Sequence, residues 1–315
     1  MTPPVPAAGR ASQGGGRHDD LERVRPAYSS STPWSPFLPQ PDWSFDDLTF
    51  TPTTEPGPDQ RWSTWSSVQA GCRGPEPRPA WVVTADAAID TELGEVKSGK
   101  EADCFLLERA VPGDPGRSTL MIGKRYRPAD KRLFHRNATY TEGRRTRNSR
   151  DARATAKATA YGREVSAVQW AAAEWAALVR LWQLGVPVPY PVQIDGTEIL
   201  MELVAHDGEV APRLAATRPA ADLLAELWEQ LEQAMTAMTR AGLVHGDLSP
   251  YNLLLAGERL VVIDVPQLVD LVANPQGMDL LHRDCRNVAS WFVRRGYGGP
   301  DSADELFARL LASAW

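Results

Sequence analysis

The sequence predicts a two-lobed α+β domain, with a small N-terminal antiparallel sheet and one major helix joined to a helical C-terminal lobe. Three observations predict it. Short strand-like runs with turn signals occupy the first part, and long helix-periodic runs dominate beyond residue 160. Between them the proline-punctuated VPVPYPV opens an extended linker near residues 186–204. Such a split places a cleft between two lobes, where small-molecule sites commonly lie.

Composition sets the boundaries. Residues 1–80 hold 14 Pro and 7 Gly, which reads as an extended, disordered tail. Trp34, Phe37, Trp43, Phe45, Trp62 and Trp65 interrupt that tail, and the sharper alternative is that one aromatic cluster docks on the folded domain or on a partner. The folded domain is placed at 81–315, with 81–200 as the first lobe and 201–315 as the second.

The elements follow in order. From Trp81, WVVTADAAIDTELGEV offers a Val-rich entry, a Thr/Asp cap and a short helical stretch. KSGKEADCFLLERA and STLMIGKRYRP read as two strands around the turn PGDPGR. A helix is predicted over about 162–184, where AVQWAAAEWAALVRLWQLG carries apolar residues at helical spacing and Gly185 supplies the stop. TEILMELV is a strand, and a helix follows over about 220–241. HGDLSPYNLLLAGERLVVIDVPQ reads as polar loop, strand, turn, strand and polar loop. Helices near 278–295 and 302–314 close the chain. Trp170, Trp175 and Trp182 are expected to serve packing, and Cys104 to be a small buried strand residue, the alternative being that it lines the nucleotide site beside the glycine loop.

Charge and cysteine usage exclude several classes. The formal charge is −6 and the pI about 5.5, so a uniformly basic nucleic-acid binder is not expected. No apolar run is long enough to span a membrane, and the first residues lack the apolar core of a secretory signal. Three scattered cysteines make neither a zinc motif nor a disulfide framework, so a cytoplasmic location is expected. Residues 125–163 are locally basic, with 12 Lys or Arg against 3 Asp or Glu. The bland reading is a solvated loop. The alternatives are RNA contact through charge, or phosphorylation at Thr146, Ser149 or Thr155 beside arginines.

The strongest chemical signal is HGDLSPYN followed by VVIDVPQ. Phosphoryl transfer from a nucleotide needs an in-line nucleophile and neutralised phosphate charge more than covalent help. Asp247 can orient an attacking hydroxyl and take its proton. Asn252, five residues on, can hold a metal ion, and Asp264 can bridge metal to phosphates. Magnesium accepts such a sparse oxygen set because phosphate and water complete it. Lys124, on a strand after a Gly-containing turn, suits phosphate contact, and Glu174 in the Ala/Trp face of the long helix is its candidate partner. Ser98 and Gly99, in KSGKEAD, offer a short loop whose amides can cradle phosphate.

These residues, with GEVKSGKEADCFLLER, KRYR, EGRRTRNSR, LMELV followed by APRL, and NPQGMDLLHRDCRNVASWF, resemble the RIO family of atypical serine protein kinases, in its bacterial branch near the type-1 enzymes. The resemblance covers about residues 80–315. It implies a protein-kinase-like fold and use of ATP with Mg2+, or Mn2+ in its place. It implies a phosphate contact at Ser98 and nearby amides, an ATP-anchoring Lys124 paired with Glu174, and Met201, Glu202 and Val204 as the adenine-facing hinge. Asp247 would be the catalytic Asp, with Asn252 and Asp264 holding metal. Residues 125–163 would be the family's flexible, autophosphorylated and partner-contacting loop. Gly123 stands where Ala is usual and Pro266 where Ser is frequent.

The expected activity is therefore ATP- and Mg-dependent phosphorylation of serine or threonine on a protein, the chain itself included. One alternative is an ATP-driven switch through phospho-Asp264, acting on a partner such as a ribosomal particle. Another is a small-molecule kinase of the aminoglycoside or choline type, for whose acceptor pocket the roughly 50 residues after Asp264 leave limited room. Asp284 in LLHRDCRN is expected to tie down the loop that carries Asp247.

Overall fold

In a computed structural model, the described residues are 55–128, 160–297 and 303–314. The first lobe is a six-stranded antiparallel sheet in the order β1-β2-β3-β4-β6-β5. Its strands are β1 (Gln60–Trp62), β2 (Ile89–Ser98), β3 (Ala102–Val111), β4 (Asp114–Tyr126), β5 (Pro191–Asp195) and β6 (Glu198–Glu202). Pro112 and Gly113 alone turn the chain between β3 and β4, tighter than PGDPGR suggested. Side chains alternate across a strand, so Ile122, Lys124 and Tyr126 share one face of β4 while Met121 and Gly123 take the other.

Helix α1 (Ala160–Gln183) buries Ala167, Trp170, Ala171, Glu174, Trp175, Leu178 and Leu181, the three-and-four spacing of one helix face. It stops as the sequence predicts. Gly185 has φ +74°, its N–H bonds the Trp182 carbonyl at 3.0 Å, and the Val186 N–H bonds the Leu181 carbonyl at 3.0 Å.

Beyond β6 the chain makes a small hairpin, β7 (Ala205–His206) with β8 (Glu209–Val210), and enters the helical lobe. That lobe comprises α2 (Ala221–Arg240), α3 (Gly277–Arg294) and α4 (Ala303–Ala314). Two short ladders stand among them. Strand β10 (Leu253–Ala256) pairs with β11 (Arg259–Val262), and β9 (Leu243–Val244) pairs with β12 (Val269–Asp270). The largest core cluster runs without a break from Ala167 to Leu181 of α1, through Met201, to the inner faces of α2, α3 and α4. A second cluster packs Trp65, Leu107, Met121, Tyr190, Val192 and Leu200 against the other face of the sheet.

Three expectations need correction. The stretch after Trp81 is not helical: residues 89–98 are strand β2, because Ile89 and Asp90 pair with Ala110 and Arg109 of β3, and Asp90 binds the buried Arg109 guanidinium at 2.6 and 2.9 Å. The domain does not begin at 81. Residues 60–62 extend the sheet and Trp65 is 5% exposed, so the segment 55–80 belongs to the first lobe, whereas 1–54 lie outside the described residues. The lobe boundary drawn after residue 200 falls inside β6, and the linker read from residue 186 contains both β5 and β6, which are full members of the sheet.

Candidate active site

A cleft of about 710 Å³ opens between the lobes. That volume lies in the range, about 300–1,000 Å³, that holds a small organic ligand. Its apolar walls come from Ile122 and Met201 on one side and Leu254 and Ile263 on the other. Lys124, Glu174, Asp247 and Asp264 face its polar end.

Four elements converge on that end. Lys124 Nζ donates to Glu174 Oε1 at 2.7 Å and to Asp264 Oδ1 at 2.9 Å. The second oxygen of Glu174 accepts from the Tyr126 hydroxyl at 2.5 Å. Glu174 is 2% exposed, so the pair must be internally satisfied, and it is. Burial works against the Lys124 ammonium, but Glu174, Tyr126 and Asp264 outweigh it and lift its pKa well above the usual lysine range. Burial likewise opposes ionisation of Asp264, yet Lys124 pulls its pKa below the ordinary aspartate value. Asp264 has φ +64°, a backbone state that is costly for a residue other than glycine and that clusters at functional sites.

The loop 245–252 is held by α3 and by the chain just after β11. Asp284 of α3 accepts the Gly246 N–H on Oδ2 and the Leu248 N–H on Oδ1, both at 2.8 Å. The neighbouring Arg283 donates to the Gly246 carbonyl, and Asn287 Nδ2 to the Leu248 carbonyl at 3.2 Å. His245 accepts the Asp247 N–H on Nδ1, so Nε2 carries the proton it donates to the Ile263 carbonyl at 3.2 Å. Burial keeps that imidazole neutral by lowering its pKa. Asp284, expected to anchor this loop, does so; burial raises its carboxyl to about 7 against the pull of the two amides.

Asp247 has its pKa raised, first by burial and further by Asp264, while His245 and Arg283 work the other way. Asn252 Nδ2 donates to the Asp247 carbonyl at 2.9 Å, which orients the amide and leaves Oδ1 as its acceptor atom. The β10–β11 register sets Leu253 opposite Val262, and the Ile263 N–H bonds the Asn252 carbonyl at 3.0 Å. That hairpin ties the backbone at Asn252 to Ile263, the residue before Asp264; Asp264 lines the cleft, whereas Asn252 is buried beside it and is not among the wall residues. Their donor set, an amide oxygen and a carboxylate, suits a hard cation that brings its other ligands with it. Among the described residues no group of three His, Cys, Asp or Glu is arranged to hold a metal alone.

The remaining predicted residues fall into place unevenly. Gly99 lines the cleft, but Ser98 is not among its wall residues: its hydroxyl bonds Asp103 at 2.6 Å. Met201, Glu202 and Val204 all line it. The Glu202 N–H bonds the Tyr190 carbonyl at 2.9 Å and the Val204 carbonyl accepts from Ala211 at 3.0 Å, which fixes the course of the hinge. Cys104 is only partly buried and lines the cleft beside Lys124, so it is not the buried filler that was expected. Gly123 is explained by Leu107, whose Cδ1 lies 2.4 Å from where a Cβ would stand.

Sequence reasoning missed two contributors. Arg127 donates to the Gly99 carbonyl, to Ser98 Oγ at 3.3 Å, and through Nε to Asp103 at 3.0 Å, pinning the loop 98–103. Glu101 also faces the cleft, with its pKa raised by burial and by Asp264. Arg127 stood in KRYR and Glu101 in KSGKEAD, but only the fold shows what they face. Of the basic stretch 125–163, residues 129–159, with Thr146, Ser149 and Thr155, lie outside the described residues.

A two-lobed α+β fold with a buried lysine–glutamate pair, a loop aspartate facing the cleft and a second aspartate after a hairpin defines a protein-kinase-like class. The family model "RIO domain" matches residues 124–304, and the chain belongs to the RIO family. It is 37% identical over 211 residues to the RIO-type serine/threonine-protein kinase Rio1 of Haloferax volcanii, covering 67% of this chain and 66% of that one. It is 34% identical over 139 residues to human serine/threonine-protein kinase RIO3, covering 44% of this chain and 27% of the relative. The match therefore spans just under two thirds of the first relative and about a quarter of the second. The crystal structure of the Rio2 kinase from Chaetomium thermophilum aligns over 71% of each chain at 20% identity and a TM-score of 0.43.

Proposed function

We propose that the protein transfers the γ-phosphoryl group of ATP to a serine or threonine hydroxyl of a protein, its own chain included. The observation that carries this reading is the convergence of Lys124, Asp247 and Asp264 on one cleft, with Lys124 held between Glu174 and Asp264. Adenine would lie between Ile122 and Leu254, against the hinge residues Met201, Glu202 and Val204. Gly99 and the neighbouring amides would approach the phosphates, and Lys124 would neutralise their charge.

The acceptor hydroxyl would lie against Asp247, which takes its proton as the oxygen attacks the γ-phosphorus and the bond to ADP breaks. A pKa above the ordinary aspartate value favours that role, because a stronger base accepts the proton more readily. Asn252 and Asp264 would hold magnesium, which offsets phosphate charge when bound. Contact with RNA or a ribosomal particle through residues 125–163 belongs to the same proposal and rests on their charge.

A second reading, an ATP-hydrolysing switch, is favoured by the ionised state of Asp264 and its exposure to the cleft. There the Asp264 carboxylate attacks the γ-phosphorus, ADP leaves, and water later cleaves the acyl phosphate to free phosphate. One experiment separates the two: incubation with labelled ATP and Mg2+, comparing the protein with Asp247→Ala and Asp264→Ala. Acid-stable label on Ser or Thr that disappears in Asp247→Ala supports the kinase. Hydroxylamine-labile label that disappears in Asp264→Ala, with continued ATP turnover, supports the switch. Neither label nor hydrolysis overturns both.

A further inference from the structure

The segment between β1 and β2 precedes the family match, yet it grips α1, which carries Glu174 into the cleft, and β5, the edge strand beside the cleft-lining β6. The Gly71 carbonyl accepts the indole N–H of Trp175 at 3.2 Å, and Trp175 is the residue after Glu174 on α1. On the sheet side, the Gly74 N–H bonds the Val192 carbonyl at 2.8 Å. Thr64 Oγ1 accepts from Gln193 at 2.7 Å, and the Pro75 carbonyl accepts from the Tyr190 hydroxyl at 2.9 Å. The approach at Gly74 is close: a Cβ there would stand 2.1 Å from the Pro191 carbonyl oxygen. Trp65 fills the second core beneath, with the Arg73 and Arg78 guanidinium groups 5.6 and 5.2 Å from its ring.

We propose that residues 64–81 form a positioning strap for the nucleotide site, and that Trp175 is a positioning residue: by holding its indole, the Gly71 carbonyl fixes the rotation of α1 that delivers Glu174 to Lys124. The geometry gives the reason. Successive helix residues are about 100° apart around the axis, so a modest roll of α1 carries Glu174 off the Lys124 ammonium. Contacts within α1 do not oppose such a roll. A bond from a helix side chain to a segment that is itself bound to β5 does oppose it. The Tyr190 ring, packed edge-on to Trp182 of the same helix at 5.0 Å, is the second restraint. The Tyr190 backbone also holds the hinge, because its N–H donates to Glu202 Oε2 at 3.0 Å.

This inference rests on Lys124 and Glu174 anchoring the nucleotide, and its test keeps the two apart. ATP affinity is measured by calorimetry in the full chain, with melting temperature alongside, for Glu174→Gln, Trp175→Phe and the double variant. Trp175→Phe keeps an aromatic ring but removes the N–H donor together with part of the buried ring, and the melting temperature reads the packing loss separately. The expected result is an affinity about fivefold weaker in Trp175→Phe, the scale of one lost buried hydrogen bond, with no further loss when it is added to Glu174→Gln. Should Trp175→Phe not fold, Gly74→Ala, which loosens the strap from β5, takes its place with the same expected pattern. Unchanged affinity in the strap variant, or a loss that adds in full to that of Glu174→Gln, overturns the strap. Unchanged affinity in Glu174→Gln itself overturns the site assignment beneath it.

Discussion

The ammonium of Lys124 lies 2.7 Å from Oε1 of Glu174, although 50 positions separate them in the chain. The pair fastens the middle of the sheet to α1 and is buried on the glutamate side. Removing one partner of such a pair leaves a charge in a poor solvent, at a cost of about 3–5 kcal/mol. Lys124→Ala is therefore expected to lose ATP binding and also to unfold at clearly lower denaturant. Glu174→Gln leaves the Lys124 ammonium still paired with Asp264, and is expected to weaken ATP about tenfold with a smaller loss of stability. Denaturant titration and calorimetry of both variants check this.

Asp247 titrates above the ordinary aspartate value, with burial the first cause. A proton acceptor works only when ionised, so turnover is expected to fall as pH drops through that raised pKa. The acid limb of the rate profile should then lie above 3.8, the unperturbed aspartate value. Asp247→Asn should lose at least 100-fold in rate, on the order expected for a general base, and should show no such limb. A pH–rate profile at saturating ATP reads both.

Asp284 gives the opposite kind of pH effect, on stability. Its folded carboxyl titrates near 7, whereas the unfolded one titrates near 3.8. The folded protein thus keeps a proton that the unfolded chain has released, and its stability falls as pH rises from about 4 to 7, by at most about 1.4 kcal/mol per unit. Asp284→Asn cannot titrate, so its stability profile should be flatter over that window. Parallel profiles of the two proteins would remove Asp284 as the source.

Trp65 is buried in a segment whose proline content suggested no fixed structure. Trp65→Ala removes the side chain that fills the second core and the platform for Arg73 and Arg78. A loss of about 3–5 kcal/mol is expected, the usual cost of emptying a large aromatic site. Chemical denaturation of the full chain measures it.

Much of the site was legible because its chemistry is carried by residues close in sequence. His245, Asp247 and Asn252 share one loop, and Asp264 follows one hairpin later, so the spacing itself encodes the meeting. The helices were legible too, since each buries one face and keeps its period. What could not be read depended on distant partners. Residues 89–98 look helical by local pattern but pair with β3. Trp65 and Gly74 look like parts of a tail but lie against Tyr190 and Val192, more than a hundred positions away. Arg127 stands in KRYR, but its role is set by where β4 ends, beside the loop 98–103.

The unbroken core from α1 through Met201 to α4 also bears on how the molecule comes apart. The described residues form one compact unit, and the helix that bears Glu174 shares its apolar contacts with the helices of the other lobe. Heat should find no seam at the cleft. The two halves divide the chemistry between them, but a scanning calorimeter should record one cooperative heat-absorption peak for this unit, with the cleft disappearing at the same temperature as the sheet.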